Sequence, residues 1–290
     1  MERESITGII LNWNGGRETI NCARSLLESE VVDIEILVVD NGSSDGSDVL
    51  LKNTFPHITI LKNPTNLGVA SAWNTGVRWA MDRGSRYIFF LNSDAVVARS
   101  CLTMLAQVIA ENPHVGIVSP RILDGKNSGR IWFDGGFTNW VGDVVHRGFA
   151  DEPVPDREPF AEDFATGCAM LVRVEVFKHA GMFDESFFAY SEDADLCFRS
   201  RAKGFAILHN SRALVTHYPS AATIKNKGKW FRDYYVTRNK LLFAGKHAQG
   251  WRWILFLLYF ACKHLVVPIV YFVVTGQFKR ISAVVAGVWD

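Results

Sequence analysis

At 290 residues the chain has room for one large α/β domain with an appendage, or for two small domains. Apolar residues make up 48%, and 31 Lys and Arg against 30 Asp and Glu leave a net charge of +1, which excludes a nucleic-acid binder and a disordered chain. Cys22, Cys101, Cys168, Cys197 and Cys262 are scattered, with no Cys-x-x-Cys pair, and read as buried structural thiols of a reducing cytoplasm.

The charged start, Met1 to Ser5, followed by an apolar run only a strand long, predicts no signal peptide. Thr7 to Trp13 reads as a strand, Asn14-Gly15-Gly16 as a turn and Arg17 to Glu28 as a helix, opening a βαβ unit. Ile34 to Val39 is a second buried strand. It ends in Asp40-Asn41-Gly42-Ser43-Ser44-Asp45-Gly46-Ser47, too rich in polar turn residues for a tight connection alone, with a capped turn as the plain alternative. Ile58 to Leu61 gives a third strand, followed by Asn66-Leu67-Gly68 and a helix over Val69 to Met81. Asn74 and Gly76 interrupt that helix and predict that something approaches its surface closely.

Ile88 to Leu91 are continuously apolar, the mark of a central strand in a parallel sheet covered on both sides. That strand delivers Asn92-Ser93-Asp94 to its carboxyl end, where open α/β sheets bind ligands. Asp94 can offer a hard oxygen to a divalent metal that grips a diphosphate, and a polar turn before a helix near Ser100 is the structural alternative. No Gly-x-Gly-x-x-Gly follows the first strand and no Gly-Lys-Ser or Gly-Lys-Thr occurs, so dinucleotide and P-loop cradles are both missing.

A helix over Ser100 to Asn112 and a strand over Val115 to Ser119 come next. From Arg121 to Asp163, repeated glycines around short aromatic runs predict irregular hairpins that shape a substrate mouth. Trp132, Phe133, Phe137 and Trp140 suit stacking on a sugar ring, or a small satellite core. After a strand over Thr166 to Arg173, the carboxylates Asp184, Glu185, Glu192, Asp193 and Asp195 follow in quick succession. Glu192-Asp193 begin a helix running to Lys203. Capping by Ser191 and the helix dipole explain acids there. The apolar Phe187-Phe188-Ala189-Tyr190 just before them also makes a half-buried pocket in which a carboxylate can be tuned for general-base work.

The joint pattern of Val38 to Ser47, Asn66-Leu67-Gly68 with Asn74 and Gly76, Asn92-Ser93-Asp94, and Phe183-Asp184-Glu185 leading to Glu192-Asp193-Ala194-Asp195-Leu196 resembles the family 2 inverting glycosyltransferases of GT-A fold. The likeness is greatest to the rhamnosyltransferase-like branch of bacterial surface-polysaccharide synthesis, and it spans about residues 5 to 245. It implies an α/β fold with a Rossmann-like, mostly parallel sheet flanked by helices. The catalytic domain would cover 1–220, with a nucleotide-binding half to about 120 and an acceptor half over 121–220, and C-terminal helices would cover 221–290.

The resemblance also implies roles. Asp40 would accept from the imide N–H of a uracil or thymine base, and Asn41, Asn66, Gly68, Asn74, Asn92, Ser93 and Asp94 would line the nucleotide-sugar site. Asn92-Ser93-Asp94 stands where the family has Asp-x-Asp, so Asp94 becomes the main ligand of a divalent metal, Mg2+ or Mn2+, with His217 as a further contact. Asp193 matches the catalytic base, and Glu192 is the second candidate. Arg238-Asn239 resembles a pair that closes over the donor phosphates, and Trp132, Trp140 and Tyr190 would meet the acceptor. The implied partners are a dTDP- or UDP-sugar donor, a glycan or lipid-linked glycan acceptor, and a second copy of the chain in a homodimer. A catalytically silent sugar-nucleotide binder and a sugar nucleotidyltransferase remain as alternatives.

Trp253 to Thr275 is long enough to cross a bilayer, but Lys263-His264 lie at its centre and Pro268 interrupts it. The expectation is helices lying in the membrane interface at the inner face of the plasma membrane, with Lys246, Arg252, Lys279 and Arg280 at their ends. A helix pair buried against the catalytic domain is the soluble alternative.

Overall fold

The computed structural model describes residues 5–30, 34–127, 129–139, 143–219 and 228–290. The alternation read from the sequence becomes β1 (Ile6–Asn12), α1 (Gly16–Leu27), β2 (Ile34–Asp40), α2 (Ser47–Thr54), β3 (Thr59–Lys62), α3 (Val69–Asp82) and β4 (Tyr87–Asn92). The short β5 (Ala95–Val97), α4 (Cys101–Glu111) and β6 (Val115–Asp124) follow. The mouth region holds only brief strands, β7 (Ile131–Phe133), β8 (Gly136–Thr138), β9 (Val144–His146) and β10 (Phe160–Ala161). After β11 (Ala169–Arg173) come α5 (Val174–Ala180), α6 (Glu192–Ala202), β12 (Ala206–His217) and α7 (Lys229–His247). The chain then runs through α8 (Trp251–Val274), which passes through a π-helical stretch at Ala261–Val266, into α9 (Phe278–Trp289).

One sheet in the order β10-β12-β6-β11-β4-β1-β2-β3 organises the molecule, with β5 added to β12 and β7 to β6. β3, β2, β1 and β4 are parallel, as successive crossover units require. β4 is central, and Tyr87 to Leu91 are fully buried between its neighbours and the helices. Trp73 of α3 meets Phe90 edge-on at 4.9 Å between ring centroids, the preferred geometry for packed aromatic rings.

The sheet reverses at β11, which runs antiparallel to both β4 and β6. This reversal brings the start of β11 to the edge where β1, β2 and β4 end, and Ala169 pairs with Leu91. β12 resumes the parallel direction beside β6, and its last residue, His217, pairs with Ala95 of β5. Residues separated by most of the chain are thus delivered to one edge.

Gly76 proves structural: a Cβ there would lie 2.7 Å from the side chain of Ile9, so glycine lets α3 settle on β1. Four cysteines are buried as expected, while Cys262, on the π-helical stretch, is exposed. Beneath the mouth lies a buried polar chain in which Ser119 Oγ is 2.6 Å from Glu162 and 2.8 Å from Nδ1 of His209. His209 Nε2 reaches Asp134 at 3.0 Å, and Arg121 closes on Asp134 at 2.7 Å. It welds β6 and β12 to the mouth hairpins.

The soluble alternative, a helix pair buried against the domain, does not form. Only 11% of the apolar window of α8 is buried, with Ile254, Leu258, Val267 and Val274 among its exposed side chains. Instead α9 lies on α7, close enough that a Cβ on Gly287 would stand 2.6 Å from the Tyr234 carbonyl.

Candidate active site

Where β1, β4 and β11 meet, a crevice of about 500 Å³ opens. Asn92, Ser93 and Asp94 line its floor, together with His217. The β5–β12 pairing sets His217 Nε2 at 3.1 Å from Asp94 Oδ1, and the Asp94 carbonyl accepts from the Tyr218 N–H at 2.8 Å. Burial opposes a charge on His217, but the neighbouring Cys168 and Asp94 outweigh it and its pKa is raised to about 10. Its Nδ1 is buried without a hydrogen-bond partner. Among the described residues no three His, Cys, Asp or Glu side chains are grouped to hold a metal. Once a metal displaces the proton that His217 shares with Asp94, this carboxylate and imidazole fit a divalent ion that takes its remaining ligands from a diphosphate and water.

Glu192 and Asp193 form the opposite wall at the start of α6. The expected side-chain cap from Ser191 is absent: Tyr190 and Ser191 both adopt positive φ, 72° and 71°, and Ser191 makes no capping bond. Two consecutive non-glycine residues in the left-handed region are strained, and such strain persists only where surrounding bonds hold it. Asn239, wholly buried on α7, supplies them: its Nδ2 donates to the carbonyls of Ala189 at 2.6 Å and Tyr190 at 2.8 Å. Asp193 accepts from the backbone N–H groups of Gly167 and Ala194, both at 2.8 Å, which fixes its carboxylate at the crevice. Glu192 differs. Burial, with the Asp193 charge beside it, pushes its pKa up to about 8, and its Oε2 has no partner.

The end of the crevice beside β2 and α3 is built on asparagines. Asn41 donates to Asn66 Oδ1 and to the Gly68 carbonyl, both at 3.1 Å, and all three line the crevice. Gly68 is required at φ 87° because a Cβ would stand 2.5 Å from the Phe188 carbonyl.

Three expected donor contacts sit elsewhere. Asp40 is fully buried below the crevice, its oxygens accepting from Asn12 Nδ2 at 2.7 Å and the Ser43 N–H at 2.9 Å. Asn74 faces the other way, donating to the Phe183 carbonyl and to Glu185, each at 2.9 Å. Arg238 donates to the Ser186 carbonyl and to Asn239, each at 2.9 Å, and does not line the crevice. The α7 cations that do line it are Arg232 and Lys240, spaced with Val236 on one helical stripe.

At the mouth, Trp132 and Tyr190 both line the crevice, while Phe133 is core and Trp140 lies outside the described residues. Trp132 stands edge-on to His217 and to His146, at 4.6 and 5.0 Å between ring centroids. His146 escaped the sequence reading; it lines the crevice, and burial lowers its pKa despite the attraction of Asp193. Arg232, Lys240 and His146 carried no local signal, because each gains meaning from residues far away in the chain.

The family model for glycosyl transferase family 2 matches residues 9–181. The N-acetylglucosaminyl-diphospho-decaprenol L-rhamnosyltransferase of Mycobacterium tuberculosis is 24% identical over 242 residues, 76% of this chain and 77% of the relative. The dTDP-rhamnosyl transferase RfbF of Shigella flexneri is 23% identical over 250 residues, 84% of this chain and 81% of the relative. Among solved structures, the mannosyltransferase PcManGT from Pyrobaculum calidifontis, in complex with GDP-Man and Mn2+, superposes with a TM-score of 0.63 at 15% identity. That match covers 99% of this chain and 87% of the other. A further solved neighbour, GalNAc-T7 with UDP, GalNAc and Mn2+, superposes with a TM-score of 0.61 at 16% identity, over 91% of this chain and 55% of the other. At such identities the structures bear on the fold alone, which is the GT-A α/β fold that the motifs implied.

Proposed function

The chain belongs to glycosyl transferase family 2, and from that membership we propose that it moves a sugar, rhamnose or one like it, from a dTDP- or UDP-sugar to a hydroxyl of a growing, lipid-linked bacterial glycan, with inversion. The observation that carries the reading is the crevice with Asp94 and His217 on its floor and Asp193 on its wall. The activity of the Shigella relative, a dTDP-rhamnosyl transferase, supports the donor class, and that of the mycobacterial relative, which acts on N-acetylglucosaminyl-diphospho-decaprenol, supports a lipid-linked acceptor.

In this reading Asn41, Asn66 and Gly68 seat the nucleotide, and Arg232 faces its diphosphate. The carboxylate that meets the acceptor is that of Asp193, which lines the crevice. It takes the hydroxyl proton as the oxygen attacks the anomeric carbon from the face opposite the leaving nucleotide. Burial and the neighbouring Asp193 charge favour the protonated form of Glu192, which makes it the weaker candidate for base. Asp94 and His217 would hold a divalent metal, which when bound supplies Lewis-acid stabilisation of the departing diphosphate. Two neighbours of the same fold were solved with Mn2+, which supports divalent-metal use in the family. Trp132 and Tyr190 flank the acceptor sugar.

The exposed apolar face of α8 belongs to the same reading: it lies in the interfacial region of the inner leaflet, where a lipid-linked acceptor is presented. The test is a thermal-shift screen of nucleotide-sugars with and without manganese, followed by turnover with lipid-linked glycans and analysis of the product anomer. Stabilisation by dTDP- or UDP-sugars and an inverted product are expected. Donor binding without turnover on any acceptor would instead indicate a silent binder, and release of pyrophosphate from a nucleoside triphosphate and sugar phosphate would indicate a nucleotidyltransferase.

A further inference from the structure

Lys240 ends the crevice-facing stripe of α7, two helical turns or roughly 12 Å beyond Arg232. The Arg232 end lies by the nucleotide seat, since Phe188, which abuts Gly68, stacks on Tyr235 at 5.1 Å between ring centroids. Lys240 is at the other end, beside β9, where it pairs with the buried Asp143. Asp143 also accepts from Tyr259 at 3.1 Å and draws His264 to 3.4 Å and Lys263 to 3.8 Å. These last three residues belong to α8, and Lys263 and His264 sit in its π-helical stretch. Such stretches often mark functional positions.

Among the described residues the charges around Asp143 do not balance: Lys240 neutralises it, yet a second ammonium, Lys263, donates to the Tyr259 hydroxyl and stands beside the carboxylate with its side chain 55% exposed. A lysine midway along an apolar helix is unfavourable wherever that helix meets lipid, and Lys263 is not needed to satisfy the carboxylate. The surplus positive charge lies where the acceptor end of the crevice meets the exposed apolar helix.

We propose that Lys240 and Lys263 form the seat of a phosphate carried by the acceptor, which is therefore a lipid phosphate or diphosphate whose chain lies along α8. The inference rests on the glycosyltransferase reading and names the acceptor's chemical class. A lipid chain matches the apolar side chains of α8, the phosphate matches the uncompensated ammonium, and the sugar beyond the phosphate enters the crevice past Trp132.

The test uses the full chain and vesicles of phosphatidylcholine with or without polyprenyl diphosphate. The wild type should prefer the doped vesicles. Lys263→Gln and Lys240→Gln should each lower that preference by about tenfold or more, as for one charge-assisted bond. Lys263→Arg should retain it, and Lys203→Gln, an exposed cation away from α8, should leave it unchanged. Absence of any preference in the wild type, or an equal loss in Lys203→Gln, would overturn the proposal. Inorganic pyrophosphate forms a separate arm: if it binds as tightly as the doped vesicles and abolishes their advantage, the seat serves a soluble phosphate and the lipid assignment falls. Nucleotide-sugar turnover is scored separately on the same protein with lipid-linked glycan acceptors, so a chain that prefers the doped vesicles but turns over no donor on any of them refutes the glycosyltransferase reading and not the phosphate seat.

Discussion

His217 Nε2 and Asp94 Oδ1 are 3.1 Å apart although 123 residues separate them, because β12 ends where β5 begins its pairing. Asp94 lies beyond the apolar run of β4, so replacing it does not open the core. Asp94→Ala should therefore leave the core packed, lower the unfolding midpoint through loss of the His217 pairing, and abolish the gain in nucleotide-sugar affinity that manganese confers. Calorimetric titration with and without manganese reads this directly, and an unchanged gain would remove Asp94 from the metal.

Asp40 calls for a different expectation from the one its motif suggests. With its carboxylate accepting from Asn12 and the Ser43 N–H in a fully buried setting, Asp40→Ala should lower stability by about 1 to 3 kcal/mol. All nucleotides should then weaken alike. Urea unfolding and paired titrations with uridine and guanosine diphosphates check it. Selective loss of uridine at unchanged stability would show that the carboxylate reaches the base once the donor is bound.

How much of this was legible follows from the range of each interaction. The floor of the site could be read because the run ending at Asn92-Ser93-Asp94 carries both the burial and the break within ten residues. The antiparallel entry of β11 could not, since a buried strand has the same composition in either direction. The motif places Asp40 at a strand end, yet nothing local says that Asn12 would cover it. The pattern likewise groups Asn239 with Arg238 as a phosphate clamp. In the structure Asn239 also holds the strained Tyr190 turn, a contact that depends on a partner 49 residues away. Lys240 and Asp143 meet across 97 residues, and no periodicity records such a meeting.

Glu162 gives a prediction in pH. Burial raises its pKa from the ordinary 4.5 to about 8, so the folded protein keeps a proton that the unfolded chain releases. The Ser119 hydroxyl donates to the carboxyl at 2.6 Å and the Gly136 N–H donates to it at 2.8 Å, and burial outweighs both. Between about pH 4.5 and 8 the native state binds one more proton than the unfolded state. Stability from this group is thus fully present below the lower value and is lost as pH rises through the upper one, by up to about 1.4 kcal/mol per unit. Glu162→Gln mimics the protonated acid and should flatten that part of the profile in urea titrations run from acid to alkaline pH. An unaltered slope would mean that Glu162 ionises normally.

The base is decided within one adjacent pair. Asp193 is held at the crevice by two backbone N–H groups, whereas burial and the adjacent Asp193 charge favour the protonated form of Glu192. Asp193→Asn preserves shape and should leave donor and metal binding intact, because the side chain meets the acceptor rather than the nucleotide. Turnover should fall by roughly 10² to 10⁴, the range for loss of a positioned general base. Glu192→Gln resembles the neutral form already present and should lower turnover much less. Single-turnover rates with saturating donor separate the two variants from any effect on affinity. A greater loss in Glu192→Gln than in Asp193→Asn, at equal donor affinity, would transfer the role of base to Glu192. Near-normal rates in both would exclude the pair and direct attention to His146, a further proton acceptor on the mouth side of the crevice.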